Sequence, residues 1–222
     1  MHDDEAAINI LKQIHKEKHL SKVKALSESG GGLLDWQTYT NEETYNVALL
    51  AASAWMEAVD VVLGGAGPAM ALARPPGHHA TPDEAMGFCI FCNAAAAAKH
   101  ALESGADRVA ILDWDVHHGN GIQDCVAGDD RIRFLSLHQG DAYPDWDAQR
   151  ANRGNTVNVP LPRGTTGKKF LVALEEALPF IDSDEWRPDL LIVAAGYGEC
   201  FLGAGGEAGW ECAGKVAPLF FR

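Results

Sequence analysis

A chain of 222 residues, 47% hydrophobic and 22% charged, is long enough for one domain with a sizeable core and too apolar to be disordered. Its net charge of −13 at pH 7 argues against direct binding to nucleic acid, whose phosphates would repel it, and suits solubility or a cationic substrate. The five cysteines (Cys89, Cys92, Cys125, Cys200 and Cys212) are odd in number and irregularly spaced, which points to a reducing compartment rather than a disulfide framework. The opening MHDDEAAINILKQ is acidic and carries no apolar core, so no secretory signal is expected. The apolar runs look too short to span a bilayer. An intracellular protein is expected, with cytoplasm, nucleus and organelle unresolved.

In chain order, Ile8, Leu11, Ile14, Leu20 and Val23 predict one helical face over residues 5–26. The glycines of SESGGGL, residues 27–33, predict a loop. Thr40 and Glu43 have the spacing of a capping box for a helix through Val47, Leu50, Ala54 and Val59, which GGAGP ends. Residues 69–74 read as a short strand, and Pro75-Pro76-Gly77 stop it, holding His78 and His79 on a loop. NAAAAAKHAL, residues 93–102, is helical by propensity. Strands are expected at 108–113, 131–138, 156–161 and 189–195, with an amphipathic helix at 168–181. Strands alternating with helices predict a single α/β domain over residues 1–222 with a mainly parallel sheet, in which ligands sit beyond the carboxyl ends of the strands.

Chemistry concentrates in ILDWDVHHGNGIQ, residues 111–123. Asp113, Asp115 and His117 recur every second residue, so in an extended segment they share a face. Carboxylates and an imidazole at a buried strand end carry a desolvation cost that a divalent cation would offset, and Asp oxygen and His nitrogen both suit Zn2+. Tandem histidines on a rigid Pro-Pro-Gly loop suit proton transfer, with Asp113 and Asn120 available to orient their rings.

RPPGHHA and DWDVHHGNGIQD, with TYNVALLAA, MGFCIFCNAAAAA, RFLSLHQGDAYP and LIVAAGY, closely resemble the histone deacetylase family, in particular its class II-like and acetylpolyamine amidohydrolase-like members. The resemblance runs over about residues 39–197 and leaves 198–222 as a divergent tail. It implies the three-layer arginase/deacetylase α/β fold and zinc-dependent hydrolysis of an acetyl-lysine amide, in histones or other proteins, or of an acetylated small amine. It implies His78 and His79 as the acid and base pair, Asp113 and Asn120 as their partners, and Phe88 as a wall of the acyl-lysine channel. Asp115 and His117 match two zinc ligands. Asp113, Asp115, His117, Ser136 and Leu137 match a monovalent-cation site that usually holds potassium (K+). No membrane or nucleic-acid partner is implied, and nothing indicates the oligomeric state.

The chain departs from that pattern after Tyr197. Gly198 stands where the family has its third ligand, an Asp, and the adjacent carboxylate Glu199 is the substitute candidate. The Gly-Gly-Tyr segment whose Tyr stabilises the oxyanion has no counterpart, so the last sheet strand is expected to be missing. Tyr143 and Tyr197 do not match that Tyr, and Gln37 rather than Asp35 aligns with the family's substrate-gripping Asp. Two readings follow, an active zinc deacetylase or an impaired homologue that binds acyl-lysine or a protein. A ureohydrolase on the same fold is third, because its DxHxD cluster lacks the last Asp here.

Overall fold

The computed structural model describes residues 4–144, 152 and 154–196. The expected single N-terminal helix is two, α1 (Asp4–Leu11) and α2 (Glu17–Glu28). The break falls at His15, whose ring turns inward. Its Nδ1 lies 2.8 Å from the Thr81 carbonyl, and its Nε2 accepts the Cys92 amide at 2.9 Å. Lys16 N donates to the Pro82 carbonyl at 2.8 Å. A straight helix would have spent the Lys16 amide internally and turned the His15 ring from these partners, so tertiary bonds override the periodicity.

Residues 27–33 are not simply a loop. They end α2 and begin β1 (Gly31–Leu33), which pairs antiparallel with β2 (Tyr39–Asn41). The Asp35 carboxylate holds the connecting turn by accepting the Gln37 amide at 2.7 Å and the Thr38 amide at 2.5 Å. Thr40 lies in β2 and donates to the Gly32 carbonyl, so the expected capping box does not form. Asn41 instead makes a turn just ahead of the helix, its Oδ1 accepting from Glu43 N and Thr44 Oγ1, both at 3.0 Å, and Ser27 Oγ accepts the first-turn amide of Tyr45 at 3.1 Å.

Helix α3 (Thr44–Leu63) follows. At 20 residues it is long and apolar enough to cross a bilayer by length and composition, which corrects the expectation of shorter runs. It lies instead on the core through Ala48, Leu49, Ala52, Met56, Val59 and Val62, and exposes Val47 and Leu50. Residues 69–74 form no strand.

The sheet is built as expected. β3 (Val109–Asp113), β4 (Ile132–Gln139), β5 (Thr156–Leu161) and β6 (Leu190–Ala194) are parallel, in the order β5-β4-β3-β6. Alternation along each strand feeds two cores. Ile111, Phe134 and Ile192 face α1, α3 and α4 (Asn93–Glu103). Leu112, Leu135 and Leu137 face α6 (Gly167–Ala177), the 3-10 turn Leu178–Phe180 and Trp186. A buried side chain such as Phe134 contributes about 1.5–3 kcal/mol. Trp114 also joins the second core, opposite Asp113. The outcome is three layers, helix–sheet–helix. The last expected helix is shorter than 168–181, because Pro179 in the 3-10 turn cannot continue an α-helix. Short α5 (Asn120–Val126), absent from the sequence expectation, starts where the loop after β3 ends.

Candidate active site

Parallel register brings Asp113 beside Ser136 on one neighbour and Ala194 on the other, so three strands deliver their carboxyl ends to one place. Beyond Asp113 the chain is not extended. The Asp115 amide donates to Asp113 Oδ1 at 2.9 Å, and the His117 amide donates to Asp115 Oδ1 at 2.8 Å. Two successive side-chain turns, rather than strand pleat, bring Asp113, Asp115 and His117 together. This corrects the shared-face expectation in its mechanism while keeping its outcome. Gly196 at the end of β6 lies so close that a Cβ there would collide with the Asp115 carboxylate, and one on Gly119 would collide with the Asp113 carboxylate.

The tandem histidines face this staircase, their rings 3.9 Å apart. His78 Nδ1 lies 3.0 Å from Asp113 Oδ2, and its Nε2 lies 4.0 Å from Asp115 Oδ1. Burial alone would lower the His78 pKa, but the carboxylates of Asp113 and Asp115 outweigh it and raise it to about 9. Burial pulls the Asp113 carboxyl upward. The shared proton nevertheless belongs on His78, because Asp113 also accepts the Asp115 amide. His79 Nδ1 lies 2.8 Å from Asn120 Oδ1. The Asn120 Nδ2 contacts the His79 carbonyl and Met86 Sδ, which leaves Oδ1 for the ring. Burial and the positive charge on His78 push the His79 pKa well below its usual value. The two rings therefore differ in character, His78 a cation on a carboxylate and His79 a neutral base on an amide.

Asp115 Oδ1 and His117 Nδ1 are 3.3 Å apart. Two adjacent donors on a tetrahedral cation with bonds of about 2.0 Å are separated by about 3.3 Å, so the pair fits Zn2+. Burial would raise the Asp115 pKa, but His78 and the two bonds from His117 hold it far down, which keeps the carboxylate ionised. Among the described residues no third His, Cys, Asp or Glu completes a metal-binding group. Gly198 and Glu199, and with them Tyr197, lie outside the described residues. Of the expected monovalent-cation set, Ser136 is buried with Oγ 2.9 Å from His138 Nδ1, and Leu137 is buried beside it.

Phe88 stands at the rim, 57% exposed, with φ +66°, its amide bonded to Thr38 Oγ1 at 3.0 Å. The preceding Gly87 is wedged against the His79 ring and Tyr143. Tyr143 is a site residue the sequence reading passed over. Its ring meets His79 edge-on at 5.0 Å and His117 at 6.0 Å. Burial, then Asp35, pushes its hydroxyl pKa up to about 12, so it keeps its proton. The signal available in the sequence was an aromatic followed by proline four residues beyond β4. Beneath the site, Gln123 Oε1 accepts from Asn158 Nδ2 at 2.8 Å and lies 3.0 Å from His118 Nε2, a polar support with no sequence signature. Cys89, Cys92 and Cys125 are buried, and burial raises the Cys89 and Cys125 pKa, so they pack rather than react.

The histone deacetylase domain family model matches residues 1–203. A histone deacetylase-like amidohydrolase of Pseudomonas aeruginosa is 40% identical over 196 residues, covering 84% of this chain and 51% of that protein. Among solved structures, the HD domain of HDA15 superposes with a TM-score of 0.78 at 35% identity, covering 85% of this chain and 56% of that one. The acetylpolyamine aminohydrolase of Burkholderia pseudomallei gives 0.75 at 28% identity, covering 90% and 69%. The chain spans from about a quarter to about three fifths of the length of the curated relatives it matches. The family match over nearly the whole chain, the shared fold and the histidine–carboxylate staircase agree, and the chain belongs to the histone deacetylase family.

Proposed function

We propose that this chain carries the catalytic centre of a zinc-dependent deacetylase acting on acetyl-lysine or a related acetylated amine. The observation that supports this best is the asymmetry of the histidine pair, one imidazole on a carboxylate and one on an amide, 3.9 Å apart beside two metal-type donors. Asp115 and His117 would hold Zn2+, whose chemistry is to polarise the amide carbonyl and make water nucleophilic near neutral pH.

The chain's own groups supply the rest. With its Nδ1 proton directed to Asn120, His79 presents a lone pair on Nε2 and takes a proton from the attacking water. His78 keeps its positive charge against Asp113 and stabilises negative charge as it develops on the amide. The proton on His79 then passes to the departing amine. Tyr143 and Gly87 close one side of the pocket and hold the His79 ring in place. A K+ ion at Asp113, Asp115, His117, Ser136 and Leu137 would tie the carboxyl ends of β3 and β4 together.

A second reading, an impaired homologue that binds acyl-lysine or a protein, draws support from Gly198 at the third-ligand position. Metal analysis and turnover separate the two. The active reading expects stoichiometric zinc, loss of it in Asp115→Ala, and release of acetate from an acetyl-lysine peptide. Absence of both zinc and turnover would leave the binding reading.

A further inference from the structure

Beside Phe88 lies an open cleft of about 280 Å³ that the reading above leaves unused. One wall is Thr38 with Tyr39 and Asn41 of β2, and the other is Arg74, Pro75 and Pro76. Val47 and Ile90 add apolar surface, while Arg74 and Glu43 bring one charge of each sign.

The hairpin register decides what faces this cleft. The Leu34 amide bonds the Thr38 carbonyl at 2.8 Å, which makes that facing pair a hydrogen-bonded one. Pairs alternate along an antiparallel ladder. Gly32 and Thr40 are therefore bonded, and Leu33 and Tyr39 are not. The amide and carbonyl of Tyr39 consequently point away from β1, toward the free edge. No hydrogen bond from outside the ladder reaches either group among the described residues. An unpaired donor and acceptor at a strand edge form a template for another strand. Thr38 and Phe88 border the cleft, and Thr38 holds the Phe88 amide, so the cleft is continuous with the rim of the catalytic pocket.

We infer that the free edge of β2 receives the substrate as an extended polypeptide, by strand addition at Tyr39, with the acyl-lysine turning in past Phe88. This rests on the deacetylase reading and narrows it to a protein segment. An acetylated polyamine offers no backbone amides to pair with a strand edge.

The test uses the full chain loaded with zinc and three substrates matched at the acetyl-lysine. These are a capped single residue, a nonapeptide carrying it centrally, and the same nonapeptide N-methylated at alternate flanking amides. The nonapeptide is expected to exceed the capped residue at least about 10-fold in kcat/KM, mostly through KM, and methylation on one flank should remove most of that gain. Compared with Tyr39→Ala, which loses only the exposed ring, Tyr39→Pro deletes the outward amide, a loss an edge strand tolerates. It should raise the nonapeptide KM about 2- to 10-fold, the worth of one hydrogen bond. If that variant fails to fold, the methylated peptides still decide. Equal kcat/KM for capped residue and nonapeptide, or indifference to methylation, overturns strand addition while leaving the deacetylase reading intact. No hydrolysis of any of the three substrates overturns both.

Discussion

His15 joins the N-terminal helices to the loop that carries the tandem histidines, and it does so only as a neutral ring. It is 4% exposed, bonded at Nδ1 to the Thr81 carbonyl and at Nε2 to the Cys92 amide. Burial, with the neighbouring His19, lowers its pKa from 6.5 to about 3. Between those values the unfolded chain binds the proton and the folded chain does not. The contribution to stability is therefore complete above pH 6.5 and is lost as the pH falls. From pH 8 to pH 5 this one group costs about 2 kcal/mol, from the difference in proton binding across that interval. His15→Leu removes the titration and leaves a buried carbonyl and a buried amide unpaired, which costs about 1–3 kcal/mol each. Urea unfolding at pH 8, 6.5 and 5 should give a variant less stable at pH 8 by about 2–5 kcal/mol, yet with a pH dependence shallower by about 2 kcal/mol. His19 has its pKa lowered by burial too, so some pH dependence survives in the variant. Parallel stability curves for wild type and variant would refute a neutral His15.

Other outcomes follow from the site and its supports. His79→Ala should lower kcat/KM about 10²- to 10⁴-fold, the usual worth of a positioned base, with bound zinc unchanged by metal analysis. Gly87→Ala forces a Cβ into the His79 ring at a backbone φ of +54°, so peptide turnover should fall steeply while circular dichroism stays native. Asn155 donates Nδ2 to the carbonyls of Val126, Asp129 and Ile132 at 2.8, 3.2 and 2.8 Å. Asn155→Ala should destabilise the fold by about 1–3 kcal/mol in urea titration, and an unchanged midpoint would show that water replaces the amide.

Strands β3, β4 and β6 were legible because apolar runs, buried on most positions of both faces, end at or just before polar residues. Asp113, Asp115 and His117 stood out because carboxylates and an imidazole at a buried strand end have no purely structural reason to be there, and His78, His79 and Asn120 because tandem histidines on a rigid loop call for orienting partners; the fold gathers them together. Tyr143 did not, since an aromatic in a loop is ordinary until two histidine rings are found against it. Neither did the break between α1 and α2, because the partners of His15 lie 66 and 77 residues away. The capping box failed for a related reason: pairing with β1 recruited Thr40 into a strand, and Ser27, 18 residues away, receives the Tyr45 amide of the first turn.

Sequence alone determined the α/β alternation and singled out the residues that the fold gathers into one cluster, since both depend on residue type and short-range period. Tertiary structure decided how those residues meet. It replaced an extended strand end with two side-chain turns, gave one histidine a carboxylate and the other an amide, and turned the Tyr39 amide toward an open edge. Such differences lie in hydrogen-bond partners remote in sequence, and partner identity is fixed only when the chain has packed.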